Sequence, residues 1–159
     1  MNVEQKQLKK MQRLLFKLGL FKIPIIGFVK PKLLKLTSKE IEIRIRLRRR
    51  TKNHLDSMYF GALAVGADLA AGIHAFYFAD VVNCKLSFSF KAFSANFIKR
   101  AESDVLFKIN QGDLIELAIN KSLKNKERVN QEVLVVATDI DNQIVAEFKM
   151  LVSVKAMAY

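Results

Sequence analysis

The sequence predicts an α+β fold in which an antiparallel sheet wraps one long buried helix. A mostly apolar run at residues 58–79, built of Ala, Gly, Val, Leu and Phe, is too poor in polar groups to face solvent. Strict alternation of apolar and charged residues at 40–50 predicts a half-buried antiparallel strand. Alternating segments also follow the apolar run, so the expected order is helix, strand, long buried helix and several antiparallel strands.

The first predicted element is a basic amphipathic helix over residues 3–19. Its apolar residues at helical spacing are Leu8, Met11, Leu14, Leu15 and Leu18. The helix either packs this leucine stripe on the domain or contacts a membrane surface, and both interpretations stay open. Pro24 and Pro31 then bracket an apolar stretch that we expect to be irregular.

The long helix is expected to begin after a polar turn at 53–57, where Asp56 or Ser57 can cap its first turn. Glycine weakens an isolated helix, yet this segment contains several. They are Gly61, Gly66 and Gly72. We therefore expect a sheet or a second subunit to approach the helix closely.

The pattern after the helix predicts one long bent strand and a hairpin. Within residues 85–98 the apolar positions change phase near Lys91 and Ala92, which indicates a β-bulge. Two alternating segments surround Asp141 and Asn142, as expected for a hairpin. The remaining predicted segments are a strand at 104–110, a polar helix or helical turn at 112–124 and the hairpin strands at 131–139 and 143–155.

Positive charge is concentrated in the first third of the chain. Residues 1–52 contain 16 Lys and Arg against 3 Glu, whereas residues 53–159 contain 11 against 12 Asp and Glu. A basic segment of this kind implies an anionic partner, which can be the phosphates of a ligand, an anionic bilayer or nucleic acid. The sequence carries no helix-turn-helix, zinc or RNA-binding signature, and aromatic residues are not interleaved with the arginines. Nucleic acid is therefore not expected.

Cysteine content and hydropathy bear on location. The single cysteine, Cys84, excludes an internal disulfide framework and predicts a cytoplasmic protein. No cleavable signal peptide is expected, because Lys17 and Lys22 interrupt the first apolar stretch. The run at 58–79 is long enough to span a bilayer. Asp68 at its middle would cost ~2.5–3.5 kcal/mol there, so we expect the core helix of a soluble domain instead.

Asp68 is the first candidate functional residue, because a lone carboxylate on a buried helix is costly unless it is paired, protonated or used. The turn and helix around it resemble the hotdog fold, and in particular acyl-coenzyme A thioesterases of the phenylacetate-pathway type. Those enzymes have an Asn in the turn, a His two residues before a helix-start Gly, and an acid further along. Asn53, Gly61 and Asp68 stand at three of these positions. Tyr59 replaces the His, and Phe60 replaces the first of two paired glycines.

An uncharacterised branch of the same superfamily is also similar, in its Asn-His-Leu turn, its preceding basic strand and its closing Ser153-Val154-Lys155. Resemblance implies a homodimer or homotetramer with the long helices side by side and the active sites at the subunit interface. We expect a basic amphipathic helical extension at residues 1–30 and a single hotdog domain at 31–159.

The same resemblance implies hydrolysis of an acyl thioester carried by coenzyme A or by an acyl carrier protein. Asp68 would act as base or nucleophile from the neighbouring subunit, and Asn53 would orient the water or the carboxylate. Free N–H groups at the helix start near Gly61 would hold the thioester oxygen. Tyr59 would donate its hydroxyl in place of His, and Phe60 would contact the substrate.

Basic residues at the end of the first predicted strand would hold the phosphates of coenzyme A. They are Arg48, Arg49 and Arg50. A solvated polar face is the other interpretation of these arginines. Coenzyme A would enter as part of the substrate, and no separate cofactor is expected. Two histidines and scattered acids give no metal-ligand spacing, so no metal is predicted.

Alternatives stay open for several of these residues. Asn53 can serve only to hold its turn, and Asp68 can be satisfied by a hydroxyl or amide across the dimer. His74 is expected to be a hydrogen-bonded core or interface group. A non-catalytic hotdog protein, which binds an acyl ligand or acts as a subunit in lipid metabolism, is the second possible function. Tyr59 and Phe60 are the residues that favour it.

Overall fold

The computed structural model describes residues 3–159, which form four α-helices and six strands. The helices are α1 (Val3–Lys17), α2 (Pro24–Val29), α3 (Phe60–Val81) and α4 (Gly112–Asn125). A π-helical turn (Leu18–Lys22) continues α1. The strands are β1 (Lys32–Leu36), β2 (Ile41–Ile45), β3 (Cys84–Phe97), β4 (Val105–Ile109), β5 (Val129–Thr138) and β6 (Ile144–Ala158).

All six strands form one antiparallel sheet in the order β1-β2-β4-β5-β6-β3. The sheet wraps α3, whose side chains pack against the inward-facing residues of the strands. Ala67, Ala70 and Ala75 on the helix are fully buried, as are Phe107 and Phe148 on the sheet. The predicted α+β architecture, with one long core helix and an N-terminal amphipathic helix, is therefore confirmed.

Helix α3 is the one helix of residues 3–159 that is long and apolar enough to cross a membrane by length and composition. Most of its apolar stretch is buried inside the protein, as expected for a core helix. Gly66 explains how the sheet comes so close. A Cβ atom there would lie 2.3 Å from the ring of Phe107 on β4, so only glycine fits without a shift. The predicted close approach is confirmed at this glycine.

The segment between the two prolines is a helix, so the prediction of an irregular stretch was wrong. Pro24 occupies the first turn of α2, where its missing N–H group has no intrahelical partner in any case. Ile26 and Val29 are buried and anchor the helix. Lys30 ends it with a positive φ of 50°.

Strand β2 stops at Ile45, five residues before the predicted end. Two residues beyond Ile45, the Leu47 N–H group donates a hydrogen bond to the Asp104 carboxylate at 3.0 Å. Strand β1 was not predicted from the sequence, because a register shift between Leu33 and Lys35 breaks its alternation of apolar and polar residues. The predicted cap of α3 was also wrong: Tyr59 is the N-cap residue and forms no side-chain capping bond.

The long strand β3 lies at the edge of the sheet and pairs with β6 alone among the described strands. Its register shifts between Phe90 and Ala92, which confirms the predicted bulge. The hairpin of β5 and β6 is confirmed as well, and Asn142 in its turn adopts a positive φ of 60°. Phe93 and Phe97 on the outer half of β3 are 48% and 54% exposed.

Candidate active site

Asp68 lies near the middle of α3 and faces an apolar cavity of about 290 Å³. Gly72 and Phe76 follow it at four-residue intervals and lie on the same helix face. The helical N-terminal segment bounds the cavity on one side and β3 bounds it on another. The residues that line it with Asp68 are Leu18, Ile23, Ile26, Leu69, Gly72, Ile73, Phe76, Phe88, Ser89 and Phe90.

This cavity changes the acid–base behaviour of the carboxyl group. Burial disfavours the charged form and raises the pKa of Asp68 to about 6. Burial is the one resolved cause, and within residues 3–159 no side chain or N–H group donates a hydrogen bond to this carboxylate. Asp68 is therefore a carboxyl group that can bind or release a proton near neutral pH.

Asn53 is engaged in its own turn. Its Oδ1 atom accepts hydrogen bonds from the N–H groups of Leu55 and Ser57, at 2.9 and 3.2 Å. The side-chain amide also donates to the Ser57 hydroxyl at 3.0 Å. Within a single chain, Asn53 therefore holds the turn before α3, as one of the two interpretations of this residue expected. Ser57, predicted as a cap, belongs to this network instead.

The start of α3 exposes the two residues that depart from the thioesterase pattern. Tyr59 and Phe60 are 49% and 59% exposed, and their ring centroids lie 4.8 Å apart. The Tyr59 ring covers Gly61, where a Cβ atom would lie 2.5 Å from it. Gly61 therefore allows Tyr59 to fold over the first turn of the helix, where free N–H groups are available.

Asn53 and Phe60 line a second cavity of about 360 Å³ beside the helix start. Lys99 and Arg100 line it too, each in an ion pair with an acid, and Phe97 of β3 contributes an apolar wall. Asp68 is eight residues beyond Phe60, about 12 Å along the helix axis. One chain brings Asn53 and Phe60 together and leaves Asp68 in a separate cavity.

A third cavity, of about 460 Å³, is lined by six cationic side chains. They are Lys30, Lys32, Arg46, Arg48, Arg49 and Arg50. Thr51, which is 1% exposed, holds the loop that carries these arginines. Its hydroxyl donates to the Arg46 carbonyl oxygen at 2.8 Å and accepts from the Arg48 N–H group at 2.9 Å. The predicted basic strand face is thus a compact arginine loop.

Most of the chain matches the sequence pattern of one protein family. Residues 12–154 match the family described as Domain of unknown function (DUF4442). The chain belongs to this family. No curated protein matches it.

Solved structures of similar shape show the fold of this DUF4442 chain. A candidate thioesterase from Shewanella oneidensis is 15% identical, with a TM-score of 0.80 over 95% of this chain and 99% of that one. A Pseudomonas aeruginosa protein of unknown function, named a probable thioesterase, is 20% identical, with a TM-score of 0.73 over 91% and 95%. A thioesterase from Haemophilus influenzae is 12% identical, with a TM-score of 0.62 over 92% and 89%. The chain therefore has the hotdog fold.

Several residues that line the cavities of this DUF4442 protein were not predicted from the sequence. Ile23 and Ile26 come from a segment about 45 residues before Asp68, and nothing in their local pattern pairs them with it. Lys99 and Arg100 lie two and three residues beyond the end of β3, and this basic pair was the sequence signal that could have identified them. Within residues 3–159 no cluster of His, Cys, Asp and Glu suited to a metal ion occurs.

Proposed function

We propose that this protein hydrolyses an acyl thioester and that Asp68 is the base or nucleophile. The observation that carries the proposal is an unpartnered carboxyl group in an apolar cavity, with a pKa raised by burial to about 6. A general base is most effective when its pKa lies near the working pH. An apolar cavity beside it suits the acyl chain, since such sites are mostly apolar with few polar groups.

The chemistry that follows needs only water and the substrate. Ionised Asp68 accepts a proton from water while the water oxygen bonds to the thioester carbonyl carbon. The carbon–sulfur bond then breaks, so the products are a carboxylic acid and a thiol that carries the proton. In the nucleophilic variant, Asp68 attacks the carbonyl carbon itself, and water then hydrolyses the mixed anhydride.

A complete site is proposed to need two subunits. The N–H groups at the start of α3 suit a developing oxyanion, but in one chain they lie about 12 Å along the helix from Asp68. Pairing of the edge strand β3 with its counterpart in a second copy would continue the sheet and cover Phe93 and Phe97. A homodimer, alone or within a homotetramer, would then place Asp68 of one chain near Asn53, Tyr59 and Gly61 of the other.

The arginine loop supports coenzyme A as the carrier of the acyl group. Arg48, Arg49 and Arg50 line the basic cavity, and guanidinium groups match phosphate geometry well. An acyl carrier protein, whose surface would meet the same charges, is the other carrier proposed. An assay can distinguish the two carriers, because free coenzyme A thioesters are small molecules and can be tested without a carrier protein.

A second candidate function is non-catalytic binding of an acyl ligand. The engagement of Asn53 in its own turn favours it, since that amide is then not free to orient water. Phe60 favours it too, because its bulky side chain stands where the related enzymes have glycine.

Hydrolysis of a panel of acyl-coenzyme A thioesters, followed by thiol release, tests the proposal. We expect turnover in the wild type and a loss of about 10²–10⁴-fold in Asp68→Ala. Asp113→Ala is the matched control, because Asp113 is exposed in the first turn of α4. Full turnover in Asp68→Ala would refute the assignment. Acyl-chain binding without turnover in the wild type would select the non-catalytic function.

A further inference from the structure

An apolar patch covers the outside of the N-terminal helical segment. Its members are large hydrophobic residues, all more than 40% exposed. They are Phe16 (67%), Leu20 (58%), Phe21 (73%), Ile23 (42%), Ile25 (53%) and Phe28 (54%). We call this set the N-terminal apolar patch. So many exposed apolar side chains within thirteen residues are unusual for a surface that only meets water.

The patch results from the way in which α1 and α2 pack. The contact between the π-helical turn and α2 is made by backbone, because a Cβ atom at Gly19 would lie 2.6 Å from the Gly27 nitrogen. Backbone packing leaves the neighbouring side chains outside the contact. Leu20 and Phe16 accordingly line an open apolar groove of about 540 Å³ between the two helices.

Exposed cations surround the patch. Lys17 and Lys22 lie within the same stretch of sequence, Arg13, Lys30 and Lys32 flank that stretch, and all five are exposed. Glu4 is the one acidic residue between positions 3 and 39. The arginine loop adjoins the patch directly: Arg50 donates to the Phe28 carbonyl oxygen at 3.2 Å, and its guanidinium lies 5.5 Å from the Phe28 ring centroid.

This charge argues against a second copy of the chain as the occupant. A twofold contact would bring the patch against itself and so gather two copies of Lys17 and Lys22 in one interface. Residues 5–39 contain no acid that could neutralise them, and Asp80 of α3, which lines a groove with Lys17, is already ion-paired with Lys10. A surface that accepts apolar side chains and supplies negative charge is an anionic phospholipid bilayer.

We propose that the N-terminal apolar patch docks this protein on anionic membranes. Phe16, Leu20 and Phe21 enter the boundary between headgroups and acyl chains, and Lys17 and Lys22 contact lipid phosphates. Ile26 of α2 borders both the outer groove and the Asp68 cavity, so the docked face lies next to that cavity. The inference does not depend on hydrolysis, because it concerns where the protein binds and not what it does there.

A tryptophan reporter tests insertion directly, since the chain has no Trp. Phe21→Trp and the control Leu117→Trp, at a 63% exposed position on α4, are titrated with two kinds of vesicle. One contains phosphatidylcholine alone, and the other contains about 30% phosphatidylglycerol. We expect a blue shift and quenching by brominated lipids for Phe21→Trp on anionic vesicles only. The Leu117→Trp emission should stay as it is in water.

Charge reversal tests the electrostatic part. Lys17→Glu with Lys22→Glu should weaken vesicle binding about tenfold or more, and high salt should weaken the binding of the wild type. Lys121→Glu with Lys124→Glu, both exposed on α4, is the matched control and should change binding much less.

Three outcomes of the vesicle experiments would overturn the proposal. They are no vesicle binding at low salt, equal effects of the two charge reversals, and binding that leaves the Phe21→Trp emission unshifted. A change of oligomeric state in Phe16→Ser with Phe21→Ser would also overturn it, because the patch would then be covered by another copy. All these measurements read binding, so thioester hydrolysis can fail while the docking proposal stands, and the reverse holds as well.

Discussion

Two titratable residues on α3 have opposite environments although only six positions separate them. His74 is fully buried, its Nε2 atom donates to the Thr37 carbonyl oxygen at 3.0 Å, and its ring stacks on Phe78 at 5.0 Å. Asp68 borders an open cavity and has no hydrogen-bond donor among residues 3–159. They lie about 120° apart around the helix, since each residue advances it by about 100°.

The surroundings of a buried polar group decide whether it is held in the core by a hydrogen bond or stays free to exchange a proton. Burial lowers the pKa of His74 to about 4, so its imidazole stays neutral and serves as a hydrogen-bond donor in the core. Burial raises the pKa of Asp68 to about 6, so its carboxyl group exchanges a proton near neutral pH. The prediction that His74 is a hydrogen-bonded core group is confirmed.

Removal of the histidine ring should have the largest effect on stability. His74→Ala deletes a fully packed ring and leaves the Thr37 carbonyl without its donor, so we expect a loss of about 3–4 kcal/mol. Asp68→Ala should change stability at pH 7 by less than about 1 kcal/mol or increase it, because it removes an unpaired carboxylate. Urea unfolding of both variants measures the contrast. Equal losses would mean that Asp68 is as structural as His74.

The two groups should also give stability opposite dependences on pH. Asp68 has a raised folded pKa, so its contribution is present below its unfolded value of 3.8 and is lost as pH rises through about 6. His74 has a lowered folded pKa, so its contribution is present above 6.5 and is lost as pH falls through about 4. Each shift corresponds to about 3 kcal/mol at most.

Between pH 4 and 6 these two slopes therefore oppose each other in the wild type. Asp68→Asn removes one of them, and the variant should become progressively less stable than the wild type as pH falls from 6 to 4. His74→Gln should show the reverse trend. Chemical unfolding at half-unit pH intervals gives both slopes. If Asp68→Asn keeps the wild-type profile, then Asp68 has an ordinary pKa in solution, for instance because a partner subunit hydrogen-bonds it.

Elements that follow a long, regular pattern of apolar residues could be predicted from the sequence. Short elements and contacts made only by tertiary packing could not. The core helix and the bulged strand β3 follow from sustained patterns, and Asp68 stands out as a charge within an apolar run. Helix α2 was missed because Pro24 was interpreted as a breaker when it is a first-turn residue. The walls of the Asp68 cavity were missed because Ile23 and Ile26 reach it only through tertiary packing.

Two glycines on α3 differ in the same way, because Gly66 faces the closely packed sheet and Gly72 faces the Asp68 cavity. Gly66→Ala would place a methyl group 2.3 Å from the buried Phe107 ring and should destabilise the protein by about 1–3 kcal/mol. At Gly72 a Cβ atom would lie 3.6 Å from Phe88, an ordinary contact, so Gly72→Ala should be neutral or stabilising by up to about 1 kcal/mol.

Gly72→Ala should act instead on the cavity, because Gly72 lines it beside Asp68. If the acyl chain occupies this space, the added methyl group should raise KM for longer acyl chains more than for short ones and leave the shortest unaffected. Thermal unfolding and the acyl-coenzyme A panel measure the two effects separately. A uniform fall in kcat across all chain lengths would contradict this placement, because it would mean that the methyl group disturbs Asp68 itself and that the acyl chain binds elsewhere.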